Sequence, residues 1–203
     1  MDGRDIILMN GSNFNSMPMN IYKEDDGLKF GTWSDEVSKF MYFDSTKEIL
    51  NRVRLPEDIA DFGGANGLLK HFIPNIVTID KDESKNPDIT ADILSYTKYY
   101  ELVILRYVLH YLNDYEVIQL FKTINAKNIL IIQFENNDLI AKYKNSVNEF
   151  KYFRTTKQLQ ALLPLDIKTI YSKEYIVNKE FYINRLGQEE YMPHNEVLKG
   201  YYL

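Results

Sequence analysis

The residues with the clearest capacity for chemistry are the glycines and acids of "DFGGANG", residues 61 to 67, together with Asp80, Asp92 and His110. Gly63, Gly64 and Gly67 give the backbone angles and close approach that side chains block, and Ala65 among them is the next smallest residue. Such a cluster is either a tight turn that packs a helix on a strand or a loop against which a ligand lies. Asp80 ends an apolar run, "IVTID", at the distance expected for an acid that accepts from both hydroxyls of a ribose. A carboxylate has two oxygens and holds a vicinal diol through two charge-assisted hydrogen bonds. Asp92, in "TADIL", has the chemistry to accept from an exocyclic amine while Ile93 packs on a base. Each acid alone also reads as an ordinary strand end, cap or turn.

Positioning these groups requires alternating strands and helices, and the pattern provides them. "DIADF" is a short apolar strand running into the glycine loop, "GLLKHFI" a short helix and "IVTID" a buried strand. "DITADIL" carries a third short strand. "ELVILRY" and "NILIIQFE" are continuous apolar runs of the kind found in central parallel strands. Between them "DYEVIQLFKTI" places Val117, Leu120, Phe121 and Ile124 on one helical face. "DSTKEILNRVR" reads as a helix with capping-box spacing at Ser45 and Glu48, and "RTTKQLQALL" as one capped by Thr155 or Thr156. "DIKTIYSKEYIVNKEFYINRL" has two extended halves with no helix between them, which predicts an antiparallel pair. The expectation is a doubly wound α/β domain with a mostly parallel seven-stranded sheet, helices on both faces and an antiparallel C-terminal hairpin. Its expected bounds are 44–186, after an N-terminal cap or lid segment over 1–43 and before a C-terminal tail over 187–203.

Composition removes several functions. The 203 residues contain no cysteine, which excludes disulfides, thiolate zinc sites and cysteine nucleophiles. A net charge of -5 argues against a broad basic surface for a nucleic-acid backbone. No apolar run approaches the length of a membrane span and the N-terminus lacks the form of a signal peptide, so a cytoplasmic protein without a membrane partner is expected. No histidine cluster has metal-ligand spacing. His71 reads as a packing or surface residue and His194 as an exposed residue of the tail. Trp33, Tyr42 and Phe43 are candidates to cover a ligand, although aromatic residues are more often core.

The choice of ligand turns on what the loop lacks. A dinucleotide fingerprint needs a third glycine where Leu68 stands, and no G-K-[ST] follows for a phosphate loop. Over residues 45 to 185 the chain instead resembles the class I S-adenosylmethionine-dependent methyltransferases. "DFGGANG" is similar to their first motif, "TIDKD" to the second, "TADIL" to the third, "YELVILRYVLHYL" to the fourth and "NILIIQFEN" to the fifth strand. Ala65 stands where a glycine is commoner, and the segment between Asp80 and Asp92 is short for the helix often found there.

The resemblance implies S-adenosylmethionine as cofactor and S-adenosylhomocysteine as product. It implies a cofactor site of Asp61, Gly63, Gly64, Ala65, Gly67, Asp80, Lys81, Asp92, Ile93, Leu105 and Arg106. Asp61 would lie near the methionine amino group and Asp80 on the ribose. No N-P-P-Y or D-P-P-Y follows the fourth strand, and the strand ends in Leu105 and Arg106 rather than an acid. Those absences point to transfer to an O or N atom of a small or medium-sized acceptor; nucleic-acid and protein acceptors stay open. "LRYVLH" is also similar to the stretch that carries the general-base histidine of metal-independent O-methyltransferases, which would give His110 that role with Arg106 and Tyr107 lining the pocket. The alternatives are a methyltransferase-like domain that binds cofactor or a partner protein without turnover and, less in keeping with the loop, a nicotinamide-dependent oxidoreductase.

Overall fold

A computed structural model describes residues 45–135, 151–163, 166–177 and 194–203; the expected lid over 1–43, with Trp33, Tyr42 and Phe43, lies outside them. The chain divides into two compact units at Leu55 and Pro56, twelve residues beyond the expected boundary at 43. In the first unit the described helix is α1 (Ser45–Leu50), which buries Ile49 and Leu50. It therefore belongs to the N-terminal unit rather than to the domain over 44–186.

The second unit is built on β1 (Ile59–Phe62), β2 (Val77–Asp80), β3 (Ile89–Thr90), β4 (Tyr100–Arg106), α2 (Asp114–Thr123), β5 (Ala126–Phe134), α3 (Thr156–Leu162), β6 (Lys168–Val177) and β7 (His194–Tyr202). The strands form one seven-stranded sheet in the order β3-β2-β1-β4-β5-β7-β6. The first five are parallel, and β7 runs antiparallel to both β5 and β6. This is the expected mostly parallel sheet. No helix among the described residues is long and apolar enough to cross a membrane.

Register and burial show why the apolar runs are continuous. Leu102 to Leu105 and Leu130 to Phe134 are buried at every position, so both faces of β4 and β5 are covered. Val103, Leu105, Ile129 and Ile131 share a core with Val117, Leu120 and Phe121 of α2 and Leu159 of α3. Both helices start with a capping box: Asn113 and Glu116 exchange hydrogen bonds with each other's backbone at α2, and Thr155 and Gln158 do so at α3. Thr155 is thus the cap of the pair foreseen. The helix expected after the glycine loop is a single 3-10 turn, Leu68–His71, ended by the Pro74-Asn75 turn that leads into β2.

The C-terminal end departs from expectation. β6 spans 168–177, and its antiparallel partner is the segment 194–202 expected to be a tail. β7 inserts between β5 and β6, and Leu198 and Tyr201 are buried. Asn195, Glu196, Lys199 and Gly200 dilute its strand signal, and pairing on both edges overrides that weak local preference. Removing residues 194–203 would leave the ladder edges of β5 and β6 unpaired. The truncated protein is expected to lose cooperative thermal unfolding by circular dichroism; a melt like that of the full chain would show that β7 is dispensable.

Candidate functional site

At the C-terminal ends of the parallel strands, the order changes direction between β1 and β4, which is where doubly wound sheets form a crevice. The loop after β1 occupies this point. Gly63, Ala65 and Gly67 have φ of 71, 45 and 75°, so three of five residues are left-handed, one of them an alanine. Gly63 donates to the Ile79 carbonyl at 2.7 Å, which carries the β1–β2 pairing one residue into the loop. A Cβ at Gly63 would stand 2.7 Å from Val108 Cγ2. At Gly64 a Cβ would overlap Thr78 Cγ2 and lie 2.6 Å from Asp61 Oδ2. These two glycines are required by close approach between the β1, β2 and β4 ends.

Asp80 fixes the loop from the side. Its Oδ2 accepts from the Ala65 N–H at 3.0 Å and its Oδ1 from the Asp82 N–H at 2.9 Å. A second acid, Asp88, accepts from Lys70 Nζ at 2.6 Å and from the Thr78 N–H and hydroxyl at 2.7 and 2.8 Å, joining the 3-10 turn to β2. Against the cost of its partial burial, these bonds hold the Asp88 carboxyl down at about 2.

Asp61 is 2% exposed, on the same face of the sheet as Ile104 and Arg106. Burial pushes its carboxyl up to about 7, the Arg106 charge opposes that rise and Asp80 adds to it. No ion pair among the described residues joins Asp61 to Arg106. Arg106 Nη1 is buried without a hydrogen-bond partner, as is Gln133 Nε2. The next residue, Tyr107, has φ 59°, an uncommon conformation for a bulky side chain that costs on the order of 1–3 kcal/mol. Its N–H donates to the Ile132 carbonyl at 2.8 Å and its ring stacks on Phe134 at 5.3 Å. Arg106 lies over the Tyr107 ring, 5.1 Å from the centroid.

His110 does not have the geometry of a general base. It is 1% exposed; its Nε2 accepts from the Phe134 N–H at 3.1 Å, and its Nδ1 lies 3.3 Å from the Tyr152 carbonyl, to which it donates in that tautomer. The lone pair needed for proton abstraction is occupied by the β5 backbone. His110 instead ties the loop after β4 to β5 and to residues 151–154. Arg154 reinforces this link: its guanidinium donates to the carbonyls of Leu109 at 2.8 Å and Leu112 at 2.7 Å, and to Asp114 at 2.7 and 2.9 Å.

The structure thus brings together Asp61, Gly63, Gly64, Ala65, Asp80 and Arg106. Gly67 starts the 3-10 turn beside them. Lys81 is exposed, and Asp92 is exposed with Oδ1 capping the Leu94 N–H at 2.9 Å. Ile93 and Leu105 are core residues, 9% and 0% exposed, which contradicts a direct role for the Leu105 side chain in holding a ligand. His71 is half-buried in the 3-10 turn, and His194 begins β7. Sequence reasoning missed Thr78, Val108, Asp88 and Arg154. Their partners are 10 to 45 residues away or are seen only once a Cβ is placed on a glycine, so no local spacing marks them.

Two outcomes follow. Asp61 binds its proton more tightly in the native state than in the unfolded chain, so between 3.8 and about 7 its contribution to stability falls as pH rises. Asp61→Asn is expected to melt with a flatter pH dependence over that window than the wild type; parallel profiles would contradict the burial argument. Arg154→Ala leaves two carbonyls without their donor and is expected to cost about 2–4 kcal/mol in urea unfolding. Asp114→Ala, at a carboxylate 68% exposed, should cost less than about 1 kcal/mol.

The fold is shared with solved methyltransferases. The N-methyltransferase NodS from Bradyrhizobium japonicum, in complex with S-adenosyl-L-homocysteine, superposes with a TM-score of 0.56 at 10% identity, covering 89% of this chain and 93% of that one. The magnesium protoporphyrin IX methyltransferase ChlM from Synechocystis, with bound S-adenosylhomocysteine, gives 0.53 at 13% identity, covering 82% and 87%. A possible histamine N-methyltransferase from Thermotoga maritima gives 0.53 at 10% identity, covering 80% and 89%. No protein-family model matches the chain, and comparison with curated protein sequences gives no match. At these identities the likeness establishes the class I S-adenosylmethionine-dependent methyltransferase fold.

Proposed function

We propose that the chain binds S-adenosylmethionine on the glycine loop and transfers its methyl group to an O or N atom of a small or medium-sized acceptor. The observation that carries this reading is the bonding of Asp80. A carboxylate offers about four lone-pair directions, and the Ala65 and Asp82 N–H groups take one on each oxygen. The two that remain suit the vicinal diol of a ribose. The Asp80 carboxylate next to the loop repels a pyrophosphate and favours a ligand with positive charge. When bound, S-adenosylmethionine supplies a methyl carbon already activated by its sulfonium.

The work of this chain is then binding and alignment, which in oriented reactions supplies several kcal/mol. Asp80 holds the diol and the loop at once. Gly63 and Gly64 let the backbone lie against the ligand. A cation beside Asp61 restores the charge that burial disfavours. With the His110 lone pair occupied, the reading favours an acceptor that reaches the site already able to attack, such as a neutral amine. The same observation favours the second reading, binding without turnover.

Calorimetry with S-adenosylhomocysteine tests the binding site. The wild type is expected to bind, and Asp80→Ala to weaken binding about 10- to 100-fold, as expected for loss of charge-assisted hydrogen bonds. A folded protein that does not bind, or an Asp80→Ala variant that binds equally well, would overturn the proposal. Methylated product on any amine or hydroxyl acceptor, detected by mass spectrometry, separates transfer from binding alone.

A further inference from the structure

We infer that Arg106 is the anion-binding group of the site, placed to receive a carboxylate next to Asp61. The inference rests on the binding reading above and concerns which part of a ligand Arg106 holds. Arg106 ends β4, paired with Ile132 of β5, and shares its face of the sheet with Asp61 through the register of β1 on β4. The guanidinium stays charged at any physiological pH and presents its donors in a planar fork that matches a carboxylate.

One arm of that fork, Nη1, is buried with no acceptor. Native proteins seldom leave a buried donor unpaired, and a charged one least of all. The natural partner, the carboxylate of Asp61, is close enough to feel the charge yet forms no ion pair with it. Gln133, whose Nε2 is the other buried atom without a partner, lies on the opposite face of the sheet, one residue beyond Ile132, and is no remedy.

The guanidinium is also held from behind. It lies 5.1 Å from the centroid of Tyr107, whose backbone is fixed in the left-handed region and whose ring is stacked on Phe134. An unpaired cation and a separate buried acid on one face make a complementary pair for a ligand carrying both charges, or for an anion delivered beside a cation. Two sources share this chemistry: the amino-acid head of the methyl donor, and a carboxylate on the acceptor.

Calorimetry on the full chain separates them. The probes are S-adenosylhomocysteine, which carries the amino-acid head, 5′-methylthioadenosine, which lacks it, and benzoate added to protein saturated with S-adenosylhomocysteine. If the donor is the source, Arg106→Met weakens S-adenosylhomocysteine about 10- to 100-fold and leaves 5′-methylthioadenosine unchanged. If the acceptor is the source, Arg106→Met leaves both nucleosides unchanged and abolishes benzoate binding. The inference is overturned if Arg106→Met weakens both nucleosides equally, which marks a packing role, or if it changes none of the three titrations. Should Arg106→Met fail to melt cooperatively, Arg106→Lys is used, which keeps the charge but loses the fork; a smaller loss on the same probe is expected, and no loss would overturn the inference. A wild type that binds neither nucleoside would sink the binding reading itself; one that binds both while Arg106 proves indifferent sinks only this inference.

Discussion

The carboxylate of Asp80 is shared between two backbone N–H groups, one from the glycine loop and one from the residue two positions beyond its own strand. The first of those bonds holds Ala65 in a left-handed conformation that an alanine adopts only when its surroundings impose it. The loop around Ala65 is in turn pressed between Thr78 and Val108, with no room for a Cβ at either Gly63 or Gly64. Loop, second strand and fourth strand are therefore one mechanical unit. A carboxylate with lone pairs to spare sits at its edge.

The fourth strand lies beside the first at the point where the strand order reverses, and the loop at its end depends on residues from far along the chain. His110 and Arg154 do not act on a ligand in this geometry; they fasten the loop after β4 to the β5 backbone and to the first residues of α2. This fastening holds Val108 under Gly63 and Tyr107 under Arg106. A buried histidine that accepts from one backbone group and faces another is fully employed in the fold. Its position in "LRYVLH" resembles a catalytic base, but its bonding makes it a strut.

Much of the sheet was legible from pattern, because continuous apolar runs such as "ELVILRY" and "NILIIQFE" have few other homes than a strand covered on both faces. The link between "DFGGANG" and Asp80 was legible because loop chemistry is local: the glycines, the small residue between them and the acid that ends the next strand all lie within twenty residues. The helix start at Thr155 had the same kind of local signature. β7 was not legible, since "HNEVLKGYY" becomes a strand only by pairing on both edges with β5 and β6. His110 was misread for a related reason: its partners are 24 and 42 residues away, and a spacing motif records nothing about them.

In the proposed complex the ligand lies against the loop between β1 and the 3-10 turn, with Asp80 as its anchor. Position-resolved nuclear magnetic resonance of the 15N-labelled full chain during titration with S-adenosylhomocysteine tests this most directly. The amides of Gly63, Gly64, Ala65 and Asp82 are expected to shift first and furthest, since they belong to the loop or bond the anchoring carboxylate. Shifts confined to other parts of the sheet, or a spectrum unchanged by the ligand, would contradict it.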